Sequence, residues 1–251
     1  MYNFAMTIEY DGTDFLGWQI QASGRTVQSE IEASLHTILQ EEIKVTAAGR
    51  TDTGVHAVGQ VAHFKTSSSI SLEKLRNGLN GLLRPDLVIH SIREVDGDFH
   101  ARYSATGRLY QYRIHRRPSA LRWRYAWHVP YNLDMEAVHK SCDMLVGDHD
   151  FTSFCQAAAS LHGARCHITD LIWQENDDEI RLDISANRFL HHMVRTIVGT
   201  AVEIGRGRWA TEKMGEILEA KNRKVAGPNA PAHGLCLMSV TYPLSQQPGE
   251  D

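Results

Sequence analysis

The sequence predicts an α+β protein built of two similar mixed halves, residues 1–101 and 102–251, that share a largely antiparallel sheet with helices on one face and a cleft between the halves. Three observations predict it. Period-two apolar segments and helical stripes alternate along the chain, and the pattern of the first half recurs in type in the second. No stretch rich in Pro, Gly or Ser divides the two. A length of 251 residues with 42% apolar and 22% charged content is enough for a large core and excludes global disorder.

The elements follow in order. Ala5 to Tyr10 reads as a strand running into the turn Asp11-Gly12-Thr13. Thr26 is the expected cap of a helix to Gln40, with Val27, Ile31, Leu35, Ile38 and Leu39 on one face. Lys44 to Ala48 is a short strand, Gly49 to His56 a polar loop, and Val58 to Phe64 a strand. A helix from Ser71 stops at Leu83, before Pro85, and Leu87 to Val95 is a strand. In the second half, Ser104 to His115 is a long strand and Asp134 to Val146 a helix. His167 to Trp173 and Glu179 to Ala186 form a hairpin; the alternation of Ile180, Leu182, Ile184 and Ala186 gives its second strand one buried face. Phe189 to Ile204 and Glu212 to Ala220 read as helices, Ala157 to Gly163 and Asn222 to Ala232 as loops, and Leu235 to Tyr242 as a closing strand.

No segment approaches the ~20 uninterrupted apolar residues of a membrane span, because Phe189 to Ile204 is broken by His191, His192, Arg195 and Glu203. Residues 1–11 lack the pattern of a signal peptide. Cys142, Cys155, Cys166 and Cys236 form no Cys-x-x-Cys pair, so a reduced, cytoplasmic protein is expected. The net charge of −4 argues against a nucleic-acid partner, but it hides a patch. From Ala101 to His128 there is no acid, while Arg102, Arg108, Arg113, Arg116, Arg117, Arg122 and Arg124 alternate with Tyr103, Tyr110, Tyr112, Trp123, Tyr125 and Trp127. Arginines interleaved with aromatics suit phosphate binding and base stacking; a solvated edge strand is the competing explanation. The acids gather elsewhere, at Glu175 to Glu179 and at the Glu250-Asp251 end.

The densest polar constellation is Gly49-Arg50-Thr51-Asp52-Thr53-Gly54-Val55-His56. Its glycines allow a loop that holds Asp52 in a fixed pose, as a nucleophile or base requires. An ordinary turn capped by Asp52 explains the same residues. Asp52-Thr53-Gly54 also spells the aspartic-protease triplet, but that chemistry needs a second aspartate to share a proton, and the chain has no second Asp-Thr-Gly or Asp-Ser-Gly. On a helix at Phe189 to Ile204 the apolar residues share one broad face, with Arg188, His192, Arg195 and Gly199 opposite. His191 and His192 would point apart on that helix and have no ligand partner at suitable spacing, so no metal is expected.

Five blocks together carry a resemblance. Tyr10 to Gln19, Gly49 to His56, Phe99 to Thr106, Phe189 to Gly199 and Ala230 to Leu235, in this order, resemble the tRNA pseudouridine synthase A family. Thr53 stands where that family commonly has alanine, and Leu109 and Gln111 flank Tyr110 where charged residues are frequent. The resemblance implies two α+β halves with a basic cleft, usually in a homodimer. It further implies a cofactor-free isomerase that converts uridine to pseudouridine at positions 38 to 40 of the tRNA anticodon stem-loop. By motif, Asp52 is then the catalytic nucleophile, Tyr110 the aromatic at the target base and Arg195 the partner of the aspartate. Arg50 would contact the phosphate of the extruded nucleotide, with Arg102 and Arg108 as further RNA contacts. A catalytically inactive RNA-binding protein would use the same arginine–aromatic segment.

Overall fold

The computed structural model describes residues 1–156 and 163–243. The loop read at 157–163, its last residue apart, and the acidic pair at 250–251 lie outside the described residues. The chain is mixed α/β, with ten mostly antiparallel strands and five α-helices among the described residues. It divides into two compact units, Met1–Gly107 together with the chain from Cys236 onward, and Arg108–Leu235.

In the first unit, β1 (Tyr2–Tyr10) lies between β3 (His56–Thr66) and β4 (Leu87–Glu94), antiparallel to both, and β2 (Thr46–Ala47) pairs with β3. Phe4, Met6, Ile8 and Tyr10 are buried on one side of β1 by its period of two, and Phe4 packs edge-on to Phe64. Helix α1 (Val27–Leu39) begins where the Thr26 and Ser29 side chains cap each other's backbone N–H, a box that contributes about 1 kcal/mol. Val27, Ile31 and Leu35 carry its buried stripe. Ser71 caps α2 (Leu72–Leu82), which ends before Pro85 as the sequence predicts.

The closing strand β10 (Leu235–Thr241) belongs with this first unit. It runs parallel to β3, with Cys236 opposite His56 and Leu237 opposite Ala57. Tyr242 explains the preference: it is buried in a small core with Ala5, Val61, Phe99 and Ala101, and its hydroxyl donates to the Ala101 carbonyl at 2.8 Å.

In the second unit, β5 (Gly107–His115), β9 (Glu179–Ala186), β8 (Arg165–Glu175) and β7 (Gly147–Asp150) follow one another in an antiparallel series. A two-residue strand, β6 (Trp127–His128), adds in parallel to β5. Ile180, Leu182, Ile184 and Ala186 are all buried, as their alternation predicts. Helix α3 (Met135–Asp143), capped by Asp134, packs on α4 (Met193–Gly205), and α5 (Lys213–Ala220) lies against both.

Two expectations fail here. Helix α4 begins at Met193 rather than Phe189. His192 takes a left-handed backbone at φ 69°, which a continuing right-handed helix cannot contain, and Phe189 turns aside to pack on Tyr110. The side of α4 opposite the apolar stripe is not a solvated face, because Thr196, Gly199 and Thr200 are covered by the 227–230 segment. Separately, the long strand expected from Ser104 starts only at Gly107, because residues 101–104 form a turn.

Candidate active site

Asp52 sits in the loop between β2 and β3, and the loop is held from beneath by a buried polar chain. The Tyr10 and Thr51 hydroxyls lie 2.8 Å apart, and Gln60 Nε2 donates to the Gly49 carbonyl at 2.8 Å and more weakly to Tyr10 Oη at 3.4 Å. Tyr10, Thr51 and Gln60 are all buried. Burial pushes the Tyr10 hydroxyl well above its usual range, so it stays a neutral donor or acceptor. From the other side, Trp18 N–H donates to the Thr51 carbonyl at 3.1 Å. That approach depends on Gly17, which has φ 87° and on which a Cβ would stand 2.7 Å from the Thr51 carbonyl. The loop closes on itself through Val55 N–H to the Asp52 carbonyl at 3.1 Å, with Gly54 at φ 78°.

The result is a clamped backbone with a half-buried Asp52 side chain and exposed neighbours Arg50 and Thr53. Asp52 itself has no left-handed backbone, so the pose is fixed by neighbours rather than by strain. The block Tyr10 to Gln19 is therefore the clamp of block Gly49 to His56, a relation the sequence does not display.

In the second unit, Tyr110 and Tyr112 share the buried face of β5. Tyr110 is 8% exposed, and Phe189 meets its ring edge-on at 5.1 Å. The Tyr112 hydroxyl donates to the Pro231 carbonyl at 2.8 Å. Burial raises the Tyr112 hydroxyl well above its usual range, a rise that the Arg195 charge nearby opposes. Arg195, in the first turn of α4, donates through Nε to the Ala230 carbonyl at 2.8 Å, while Ala230 N–H returns a bond to the Arg195 carbonyl at 2.9 Å.

The segment carrying those carbonyls is held almost entirely by side chains. Asn229 accepts from Thr196 Oγ1 at 2.7 Å and from Arg223 Nη2 at 2.9 Å, and Gly227 N–H donates to Thr200 Oγ1 at 3.1 Å. Gly199 permits this packing, since a Cβ there would lie 1.8 Å from the Pro228 carbonyl. Tyr112, Phe189, Thr196 and Asn229 are thus supporting residues. The sequence offers Tyr112 only as one of the interleaved aromatics and Phe189 and Thr196 only as members of the block Phe189 to Gly199, and it does not single out Asn229.

The remaining arginines divide. Arg108 is buried and donates from Nη1 to the Asn187 carbonyl at 2.7 Å, whereas Arg102 is exposed beside Tyr103. The separation of basic and acidic runs along the sequence does not persist in the fold. The turn joining β8 to β9 brings Glu179 to Arg113 at 2.7 Å, Glu175 to Arg116, and Asp178 to within 3.6 Å of Arg117. Against the upward pull of burial, Arg113 and His115 hold the Glu179 carboxyl below its usual range. The two histidines expected to point apart are also neighbours, with ring centroids 4.0 Å apart, because they precede α4 instead of lying on it.

Among known families, the model described as tRNA pseudouridine synthase matches residues 6–104 and 142–243. A protein of Halalkalibacterium halodurans named tRNA pseudouridine synthase A is 45% identical over 239 residues, covering 94% of this chain and 90% of its own length. A Brevibacillus brevis protein of the same name is 44% identical over 96% of this chain and 100% of its own length. One from Azorhizobium caulinodans, again of that name, is 43% identical and covers 97% of this chain and 95% of its own.

Proposed function

The chain belongs to the tRNA pseudouridine synthase family, and from that premise we propose that it isomerises uridine to pseudouridine at positions 38 to 40 of the tRNA anticodon stem-loop, as a cytoplasmic homodimer. The observation that carries the reading to particular residues is the clamped loop at Gly49 to His56, which presents one carboxylate, Asp52, from a backbone tied to Tyr10, Gln60 and Trp18.

The reaction breaks the C1′–N1 bond, turns the uracil and joins C1′ to C5; N1 gains a proton and C5 loses one. A base within a stem must first leave its stack, at a cost of a few kcal/mol. Exposed cations, Arg50 and Arg102, offset that cost at the phosphates. Arg108 acts indirectly, by fixing the Asn187 turn at the far end of β9. Tyr110, its ring set by Phe189, stacks on the displaced base and its hydroxyl takes the C5 proton. Asp52 attacks the sugar–base unit at C1′ or C6, and Arg195 is the cation that orients its carboxylate. The rearrangement is redox-neutral and transfers no group, so the scheme calls on no cofactor.

The test is incubation with an unmodified tRNA transcript followed by direct detection of pseudouridine, with Asp52→Asn in parallel. The wild type should form pseudouridine at 38 to 40, and Asp52→Asn should bind the transcript normally yet lose at least 90% of the rate. Binding without product in the wild type would make the chain an RNA-binding protein that has lost catalysis.

A further inference from the structure

The second unit contains a cavity of about 530 Å³ between the loop that follows β5 and β6, lined among others by Trp123, Trp127, His115, Arg117, Arg122 and His233. We propose that it binds an unpaired nucleotide of the substrate RNA other than the one being isomerised, with the base against the tryptophans and the phosphate toward Arg122. The proposal rests on the reading that RNA is the substrate.

Three observations carry it. Trp127 is fixed, because β6 pairs with β5 at Ile114 and Val129 N–H donates to the His115 carbonyl at 3.0 Å. Trp123 is presented, being 60% exposed on the loop, with the Arg124 guanidinium 5.1 Å from its ring centroid. Large aromatics left in water beside a cavity suit a planar partner more than they suit this chain's own core. Charge also points to an anion: the lining has two arginines and three histidines and no carboxylate. Arg117 meets Asp178 only at 3.6 Å, with both side chains exposed, an ion pair weak enough to yield to a phosphate.

A second copy of this chain is the rival occupant. It is disfavoured because a self-complementary interface would press Arg117 and Arg122 of one copy against the same carboxylate-free lining of the other.

The experiment uses the full chain and an unmodified tRNA transcript. Ultraviolet cross-linking at ~254 nm, then digestion and mass spectrometry, should yield a nucleotide adduct on the peptide containing Trp123 and Trp127. Trp123→Ala should raise the Kd for the transcript at least fivefold, as expected for one lost base–aromatic stack. The single-turnover rate at saturating RNA should stay within twofold, and Trp123→Phe should restore binding. A Kd within twofold of wild type for Trp123→Ala overturns the proposal, as does the absence of an adduct in that peptide. So does a change of oligomeric mass in Trp123→Ala, measured by light scattering, which would assign the surface to a second copy. Because the cross-link and Kd need no turnover, failure to form pseudouridine would overturn the proposed reaction and leave this inference standing. Should Trp123→Ala not fold, Arg122→Gln tests the phosphate half by the same Kd.

Discussion

The Tyr10–Thr51 contact is the point at which the Asp52 loop can be loosened without touching Asp52. Tyr10→Phe removes one oxygen from a site that is 3% exposed at Tyr10 and 7% exposed at Thr51. The lost bond contributes about 0.5–1.5 kcal/mol net, and a buried Thr51 hydroxyl left unpaired costs about 1–3 kcal/mol. The Gln60 bond to the Gly49 carbonyl survives, so the expected loss is about 1–3 kcal/mol and the loop should stay in place but move more. Thr51→Val leaves Tyr10 Oη only its 3.4 Å contact with Gln60 and should cost a similar amount. The double variant replaces both partners by apolar groups of nearly the same shape, and should be less destabilised than the two singles summed by about 1 kcal/mol. Urea unfolding of all four proteins at pH 7 reads the stabilities, and single-turnover pseudouridine formation at saturating tRNA reads the loop. Each single variant should slow turnover several-fold with tRNA affinity within twofold. Stabilities that add within about 0.3 kcal/mol would refute the coupling. An unchanged rate would refute the idea that this contact positions Asp52.

Three further outcomes follow from the same structure. Arg113 and Arg116 are engaged by Glu179 and Glu175, so replacing both with Gln should change the slope of log Kd against log salt by less than about 1, whereas replacing exposed Arg122 and Arg124 should reduce it by about 1–2; the reverse order would show that the pairing does not silence those cations. Burial, aided by the charge of His100, lowers the His63 pKa to about 4, and its Nδ1 accepts the Ala101 N–H at 3.2 Å; its stability contribution, about 1–2 kcal/mol after allowance for screening, is present above the unfolded value of ~6.5 and lost as pH falls from there toward 4, and His63→Gln should flatten urea-measured stability across that window. Gly199→Ala puts a Cβ 1.8 Å from the Pro228 carbonyl and should cost about 1–3 kcal/mol while slowing turnover more than it weakens tRNA binding; an unchanged rate in a folded variant would sever the 227–230 segment from the function of Arg195.

Regular elements were legible because their signals are local. Thr26 before α1, Pro85 after α2 and the alternation from Ile180 to Ala186 each specify their own element. What was not legible depended on distant partners. The buried outer side of α4 requires the 227–230 segment to lie against Thr196, Gly199 and Thr200, and a helical wheel knows nothing of that segment. The start of α4 was misread because Phe189 and Leu190 continue its apolar stripe, whereas a left-handed His192 interrupts the helix. The segregation of charge along the sequence misleads for a similar reason: 66 residues separate Arg113 from Glu179, and the β5–β9 register, which sets Glu179 opposite His115, brings it diagonally to Arg113. Asp52 was found by its block of neighbours, but its clamp through Tyr10 and Gln60 appears only once β1 and β3 pair.

The segment from Gly227 to Gly234 gathers these points into one physical argument. Apart from the short turn at Ala232–Gly234 it has no regular secondary structure, so no ladder of backbone bonds fixes it. Its place is set by hydrogen bonds donated by Thr196, Arg223 and Tyr112 and by one that Thr200 accepts from Gly227 N–H; the three neutral ones are each worth about 0.5–1.5 kcal/mol in stability. Those bonds are a small share of what the core contributes, yet the segment they place orients Arg195 through the Ala230 carbonyl and leads into His233 at the edge of the cavity. Substitutions along this segment should therefore be felt in positioning before they are felt in folding. A survey of stability alone would pass over the residues that the proposed chemistry most needs.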